Sequence, residues 1–377
     1  MDTLTAEATR TISFSCDVDL LADRLALAFR ASSSKPALAA LSGVLVRGRD
    51  NMLEIIATDG ELSIQTFVQA DVTSSGEAVL HRLFGDIVRS LPAGAVTVAV
   101  DEGGIAEIST ERSRFTLRTY PRADFPDPAT VEGSFVELSI GDLSNAIDQT
   151  VIAASNDKGR PILTGVLLEA DESCLRLVAT DSYRLAVRDL GLSGLLGAGE
   201  SAILPARALA ELSKLIAAGD ADTSVRVGVG DKRVAFRVGD TTITTTRIEG
   251  EFPSYRQLLP ERYPNRLEVQ KDDLLAALRR VGLLAREATP VRLTLSASRV
   301  RLQAIDPEIG GEADEELEAD YAGEEMTIAF NPGYFVEGVE ACGGDAIKLE
   351  CIEPLKPATV SSLDASEFRY LLMPVRV

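Results

Sequence analysis

In DDLLAALRRVGLLAR (272–286), Leu274, Leu278, Val281 and Ala285 recur at the spacing of one buried helix stripe. Similar helix-like stretches run through DLLADRLALAFR (19–30) and DLSNAIDQTVIAA (142–154). Asp19, Asp142 and Asp273 open the three stretches and are expected to act as N-caps. Each is followed by an apolar run ending in Asp: ATDGELSIQ (57–65) carries Asp59, ATDSYRLAV (179–187) carries Asp181, and RLQAIDPEIG (301–310) carries Asp306. A second helical segment follows in each case, within VLHRLFGDIVRSL, ILPARALAELSKLI and IAFNPGYFVEGVEAC. Alternating, β-branched stretches such as AVTVAV, SVRVGVG and TTITTTRI read as strands.

The spacing repeats as well as the pattern. The three Asp residues lie 122 and 125 residues apart, and each precedes a closing proline (Pro126, Pro253, Pro374) by 67, 72 and 68 residues. Three anchors in one order define an internal repeat. The fold expected is α+β: three tandem domains, each with two helices packed on mostly antiparallel strands. Boundaries fall where Pro, Gly and charges gather, giving domains 1–132, 133–263 and 264–377.

Composition narrows the function. No run of about 18 apolar residues suggests a membrane span. The opening MDTLTAEATRTIS has early acids and no apolar h-region, so no secretory signal is expected. Cys16, Cys174, Cys342 and Cys351 form no CxxC pair, which points to a reducing cytoplasm without a disulfide frame or zinc site. A net charge of −20 argues against nucleic acid held on the outer surface, where a basic face is usual.

Catalytic motifs are missing. The chain has no phosphate loop, GxGxxG after a strand, HExxH or GxSxG, and nothing calls for a cofactor or metal. The single histidine, His81, reads as a surface or capping residue at a helix start. The repeated Asp residues leave open an Asp-dependent hydrolase. However, catalytic carboxylates work in close pairs, and one Asp per domain suits a turn whose carboxylate accepts backbone N–H groups.

The chain resembles the bacterial sliding clamps, the beta subunits of the replicative DNA polymerase III. The resemblance runs over essentially the whole length. It rests on ATDG and ATDSYRLAV, EGEFPSYRQLLP, SRFTLRTYPRADFP, IAFNPGYFVEGV and, above all, the closing YLLMPVRV. TPVRL and KPA are similar to actinobacterial members. The resemblance implies three clamp domains per subunit and two subunits closed head-to-tail around duplex DNA. It implies a processivity factor with no catalytic activity, tethering the replicative polymerase and other proteins that carry a clamp-binding motif, and opened by a clamp loader. An acidic exterior with a basic lining then accommodates the net charge, because screening acts over about 8 Å at physiological salt.

Residue by residue, the resemblance places Lys35, Arg82, Arg207 and Lys214 among DNA-facing positions. The helical positions of Arg24, Arg30, Arg279 and Arg280, with Lys158 and Arg160, extend that set. Strand alternation in ERSRFTL sets Arg112 and Arg114 opposite Phe115 and Leu117. In the family this edge meets the third domain of the other subunit. There Leu283 and Leu284 would give apolar contact, and Glu312, Asp314, Glu315 and Glu316 would pair with Arg112 and Arg114; the bland alternative is an exposed acidic loop.

A partner peptide, roughly Gln-Leu-x-Leu-Phe, would dock between the second and third domains. Its groove would comprise Leu163, Thr180, Ser182, Tyr183, Arg184, Leu185, Pro253, Leu258, Leu371, Met373, Pro374, Val375 and Arg376, a set suited to an extended peptide with a few anchors. Four departures stand out: Ser182 replaces a usual Gly, Tyr183 a frequent His and Gln257 an occasional Arg, and KPALAAL (35–41) lacks a second proline common there. A specialised second clamp, conferring resistance to a clamp-directed antibiotic, would share these features.

Overall fold

The computed structural model describes residues 10–33, 36–131, 135–138, 140–191, 195–219, 224–260, 262–285, 289–365 and 367–376. Each repeat contributes two helices: α1 (Val18–Ala28) and α2 (Leu83–Ser90), α3 (Ile140–Val151) and α4 (Ala206–Ala217), α5 (Lys271–Val281) and α6 (Pro332–Ala341). The expected stripes supply the core. Leu21, Leu25 and Ala28 of α1 are buried, as are Leu274, Leu278 and Val281 of α5. Their partners bury Phe84 and Val88 on α2, and Phe335 and Val339 on α6. Close approach sets one composition: a Cβ on Gly338 would lie 2.2 Å from Tyr370 Cδ1, so α6 reaches the sheet only with Gly there.

Two local expectations are corrected. The cap of α1 is Asp17, whose Oδ1 accepts from the N–H groups of Asp19 (3.0 Å) and Leu20 (3.1 Å). Asp19 itself lies in the first turn, as do Asp272 and Asp273 of α5, whose cap position is Gln270 without a side-chain bond. Carboxylates there still favour the helix through its dipole, by about 0.3–1 kcal/mol. Asp142's side chain lies outside the described residues. The α5 stripe also stops at Val281, because Gly282–Leu284 tightens into a 3-10 turn and Ala285 falls beyond it.

The strands divide into two compact units, 1–140 with 214–246, and 141–213 with 247–377. The first unit holds a five-stranded antiparallel sheet in the order 71–74, 10–17, 95–101, 105–109, 114–118. Its second sheet has eight strands, ordered 135–138, 225–229, 233–238, 241–246, 62–69, 52–58, 44–49, 76–80. The second unit holds a nine-stranded sheet, ordered 201–205, 165–170, 175–180, 184–190, 368–372, 358–362, 346–351, 265–270, 320–322. It also has a four-stranded sheet ordered 311–318, 299–306, 291–296, 326–330. Successive repeats are thus fused by shared sheets. Thr241–Thr246 pairs with Leu62–Gln69 (Ile243 facing Ile64), and Arg184–Leu190 pairs with Phe368–Leu372 (Leu185 facing Leu371). The middle repeat therefore gives strands to both units.

Candidate functional site

The Ala-Thr-Asp motif is a turn built twice in the same way. In the first repeat Asp59 Oδ1 accepts from Glu61 N (3.0 Å) and Leu62 N (2.9 Å), while Thr58 Oγ1 donates to Leu62 O (2.8 Å). In the second, Asp181 Oδ1 accepts from Tyr183 N (2.8 Å) and Arg184 N (3.0 Å), and Thr180 Oγ1 donates to Arg184 O (2.6 Å). Asp306 accepts from Glu308 N (3.0 Å), with Ile305 in place of the Thr. The other Asp181 oxygen takes Arg184 Nε at 3.0 Å. Both oxygens are thus engaged in holding the turn. His81 is likewise local: its Nδ1 accepts from Leu83 N at 3.1 Å and its ring stacks on Tyr120.

The middle turn carries more than its cousins. Arg184 is buried, donates to Tyr370 Oη (3.2 Å) and Glu337, and lies 4.2 Å from the Tyr334 ring centroid. Burial opposes its charge, but Tyr370 and Glu337 outweigh that and push the guanidinium pKa up. Burial pushes the Tyr370 hydroxyl pKa up as well. One arginine thus ties the turn to α6. Tyr334 and Glu337 lie one helical turn apart on α6 and share a face; sequence reading missed both, although the segment NPGYF was in view.

Beside this turn the chain end lies as a neighbouring wall. Beyond the paired strands Met373 N donates to Tyr183 O (2.9 Å), and Val375 N to Ala329 O (2.8 Å). The thirteen groove candidates separate into layers. Leu163, Thr180, Arg184, Leu185 and Leu371 are buried, and Leu185 and Leu371 belong to a core cluster with Tyr255. Tyr183 (62% exposed), Leu258 (42%) and Met373 (38%) present apolar surface to solvent. Ser182, Pro253 and Arg376 are also exposed, while Pro374 and Val375 are half-buried.

The basic candidates differ in their surroundings. Arg82 stands at the N-cap of α2 and Arg207 in the first turn of α4, both exposed, with Lys214 in the last turn of α4. A cation at a helix N-terminus opposes the dipole by about 0.3–1 kcal/mol, so stability does not favour arginine at those two places. Arg30 and Lys158 are exposed; Lys35 lies outside the described residues. Arg24 is bridged to Asp240 by two contacts of 3.2 Å. Arg160 is exposed and donates to Asp157 (2.9 Å) and Ser182 Oγ (3.0 Å), beside the Asp181 turn. Arg279 pairs with Glu340 on α6, and Arg280 turns to the sheet and pairs with Glu315.

Two outermost strands complete the picture. Arg114–Arg118 ends the five-stranded sheet, with Phe115 36% exposed and Leu117 half-buried; Arg112 precedes it in a turn. Gly311–Glu318 ends the four-stranded sheet, so the acidic run is an edge strand and not a loop. Asp314, Glu315 and Glu316 are paired within their own chain, with Arg301, Arg280 and Arg299. Leu283 is 83% exposed and Leu284 half-buried beside this strand.

An α+β domain repeated three times, with sheets shared between successive repeats, is the class of fold that these elements define. The models of the DNA polymerase III beta subunit match three times: the N-terminal domain over 12–129, the central domain over 137–254 and the C-terminal domain over 256–376. The chain is 33% identical to the beta sliding clamp of Synechocystis, over 96% of this chain and 98% of that one. It is 30% identical to that of Streptomyces coelicolor, over 95% and 98%. Among solved structures, the DNA polymerase sliding clamp from Bacillus subtilis aligns at TM-score 0.91 with 27% identity, covering 98% and 100%. A Pseudomonas aeruginosa sliding clamp bound to griselimycin aligns at TM-score 0.89 with 28% identity, covering 97% and 100%. The chain belongs to the beta sliding clamp family, the beta subunit of DNA polymerase III.

Proposed function

We propose that two copies close head-to-tail into a ring around duplex DNA, and that the ring holds a replicative polymerase on its template without catalysing a reaction itself. The observation that carries this reading is the pair of outermost strands, one bearing arginines and one carboxylates, contributed by the first and third repeats. A head-to-tail contact between unlike edges makes a closed ring when its rotation closes. The exposed cations Arg30, Arg82, Lys158, Arg207 and Lys214 would face phosphate, and the work is cytoplasmic.

The second element of the proposal is docking. Tyr183, Leu258 and Met373 form an apolar rim beside a hydrogen-bonded turn, fit for a short extended peptide of the type Gln-Leu-x-Leu-Phe on polymerases, the clamp loader and other partners. Met373 offers an adaptable contact to several such sequences. With its loader and polymerase, the chain is expected to lengthen primer-extension products made in a single binding event. Products of unchanged length would overturn the proposal.

A further inference from the structure

In the nine-stranded sheet, strands 184–190, 368–372, 358–362 and 346–351 end on one rung. Arg184 pairs with Leu372, Leu372 with Ala358, and Ala358 with Cys351. Whatever lies past that rung projects from the same end of the sheet. There stand the 181–183 turn, the chain end from Met373 and the hairpin loop 352–357. The first two are joined, since Met373 N donates to Tyr183 O at 2.9 Å. The loop is held from its other side, where Asn265 Nδ2 donates to Ile352 O at 2.9 Å. Asn265 pairs with Cys351 and so belongs to the same rung.

The loop is short and stiff. Lys356 N donates to Glu353 O at 3.1 Å, closing a turn with Pro354 at its second position, a place proline suits. Pro357 fixes a further φ angle before the strand begins. This turn leaves Leu355 63% exposed, as open as Tyr183. Lys356 and Glu353 are exposed too, and neither Lys356 nor Arg376 has an ion pair among the described residues. From the Tyr183 turn to the loop is two to three strand spacings, about 10–15 Å. About three or four extended residues span that distance. The groove's buried floor, Leu185 and Leu371 with Tyr255, belongs to a cluster drawn mostly from the middle repeat. That floor suits the Leu-Phe end of a docking peptide, which turns the Gln end and the residues before it toward the loop.

Resting on the docking reading, we propose that Leu355 and Lys356 form a further subsite, occupied by the segment of a partner protein that leads into its docking peptide. The subsite takes an apolar side chain about three or four residues before the Gln, against Leu355, and a neighbouring carboxylate, against Lys356 and Arg376. The test is anisotropy titration of the full chain with three labelled peptides. These are Gln-Leu-Ser-Leu-Phe alone, the same motif led by Leu-Asp-Gly-Ser, and the motif led by Gly-Ser-Gly-Ser. The Leu-Asp leader is expected to tighten binding about fivefold over the Gly-Ser leader. Leu355→Ser is expected to abolish that gain while holding the bare motif within about twofold, with the melting point unchanged. Lys356→Gln is expected to lower the gain by about twofold at low salt. A Leu-Asp leader no tighter than the Gly-Ser leader, or a gain that survives in Leu355→Ser, would overturn the subsite and leave the groove intact. Failure of all three peptides to bind would instead overturn the docking reading itself.

Discussion

Ser182 has φ +83°, and Gly60, at the same place in the first repeat's turn, has φ +99°. A side chain in that region costs about 1–2 kcal/mol, partly offset by glycine's extra entropy in the unfolded chain of about 0.5–1 kcal/mol. Ser182→Gly should therefore raise stability by about 0.5–1 kcal/mol in chemical denaturation; an unchanged or lower midpoint contradicts the strain. The departure from glycine was legible in the sequence, but its cost was not, since φ depends on the turn that Thr180 and Asp181 build. Ser182 Oγ also meets Arg160, so the hydroxyl has a structural use beside the groove. Among the exposed residues, Tyr183→Ala and Met373→Ala should each weaken a labelled Gln-Leu-x-Leu-Phe peptide about tenfold in anisotropy titrations with the melting point unchanged. Full binding in both variants would remove the groove from the account. Arg184 behaves differently because it is buried: Arg184→Met leaves Asp181 without its cation and should cost about 3–5 kcal/mol of stability.

At the scale of elements, the helices were legible because their apolar stripes have a period no strand shares, as Leu274, Leu278 and Val281 show. The sheets were legible as strands but not in their partners. Nothing in TTITTT announces that it pairs with Leu62–Gln69 across a repeat boundary, because alternation marks a face and not a neighbour. For the same reason the acidic run Gly311–Glu318 was not legible as a strand and left an exposed loop open as an alternative: its alternation is charge against charge, with only Ala313 and Leu317 to hint at a face. Thr244 sits inside the shared eight-stranded sheet opposite Ser63. Thr244→Pro should remove a ladder bond and destabilise the first unit by about 3 kcal/mol or more, measured by hydrogen exchange along both strands. Exchange protection unchanged in Leu62–Gln69 would show that the two repeats do not depend on that junction.

For the whole molecule, the proposed ring reconciles a net charge of −20 with DNA binding through enclosure. A ring needs topology in place of tight phosphate contact, and many of its arginines are already met by carboxylates: Arg24 by Asp240, Arg279 by Glu340, Arg280 by Glu315. Open-ended affinity for DNA should therefore be weak and strongly reduced by salt, whereas a loaded ring should persist. The direct measurement is retention on nicked circular DNA after loading, followed by linearisation of the same molecules at raised salt. The account predicts that the protein stays on the circle and is lost when an end is made. Equal retention on circular and linear DNA, or loss from both, would contradict encirclement.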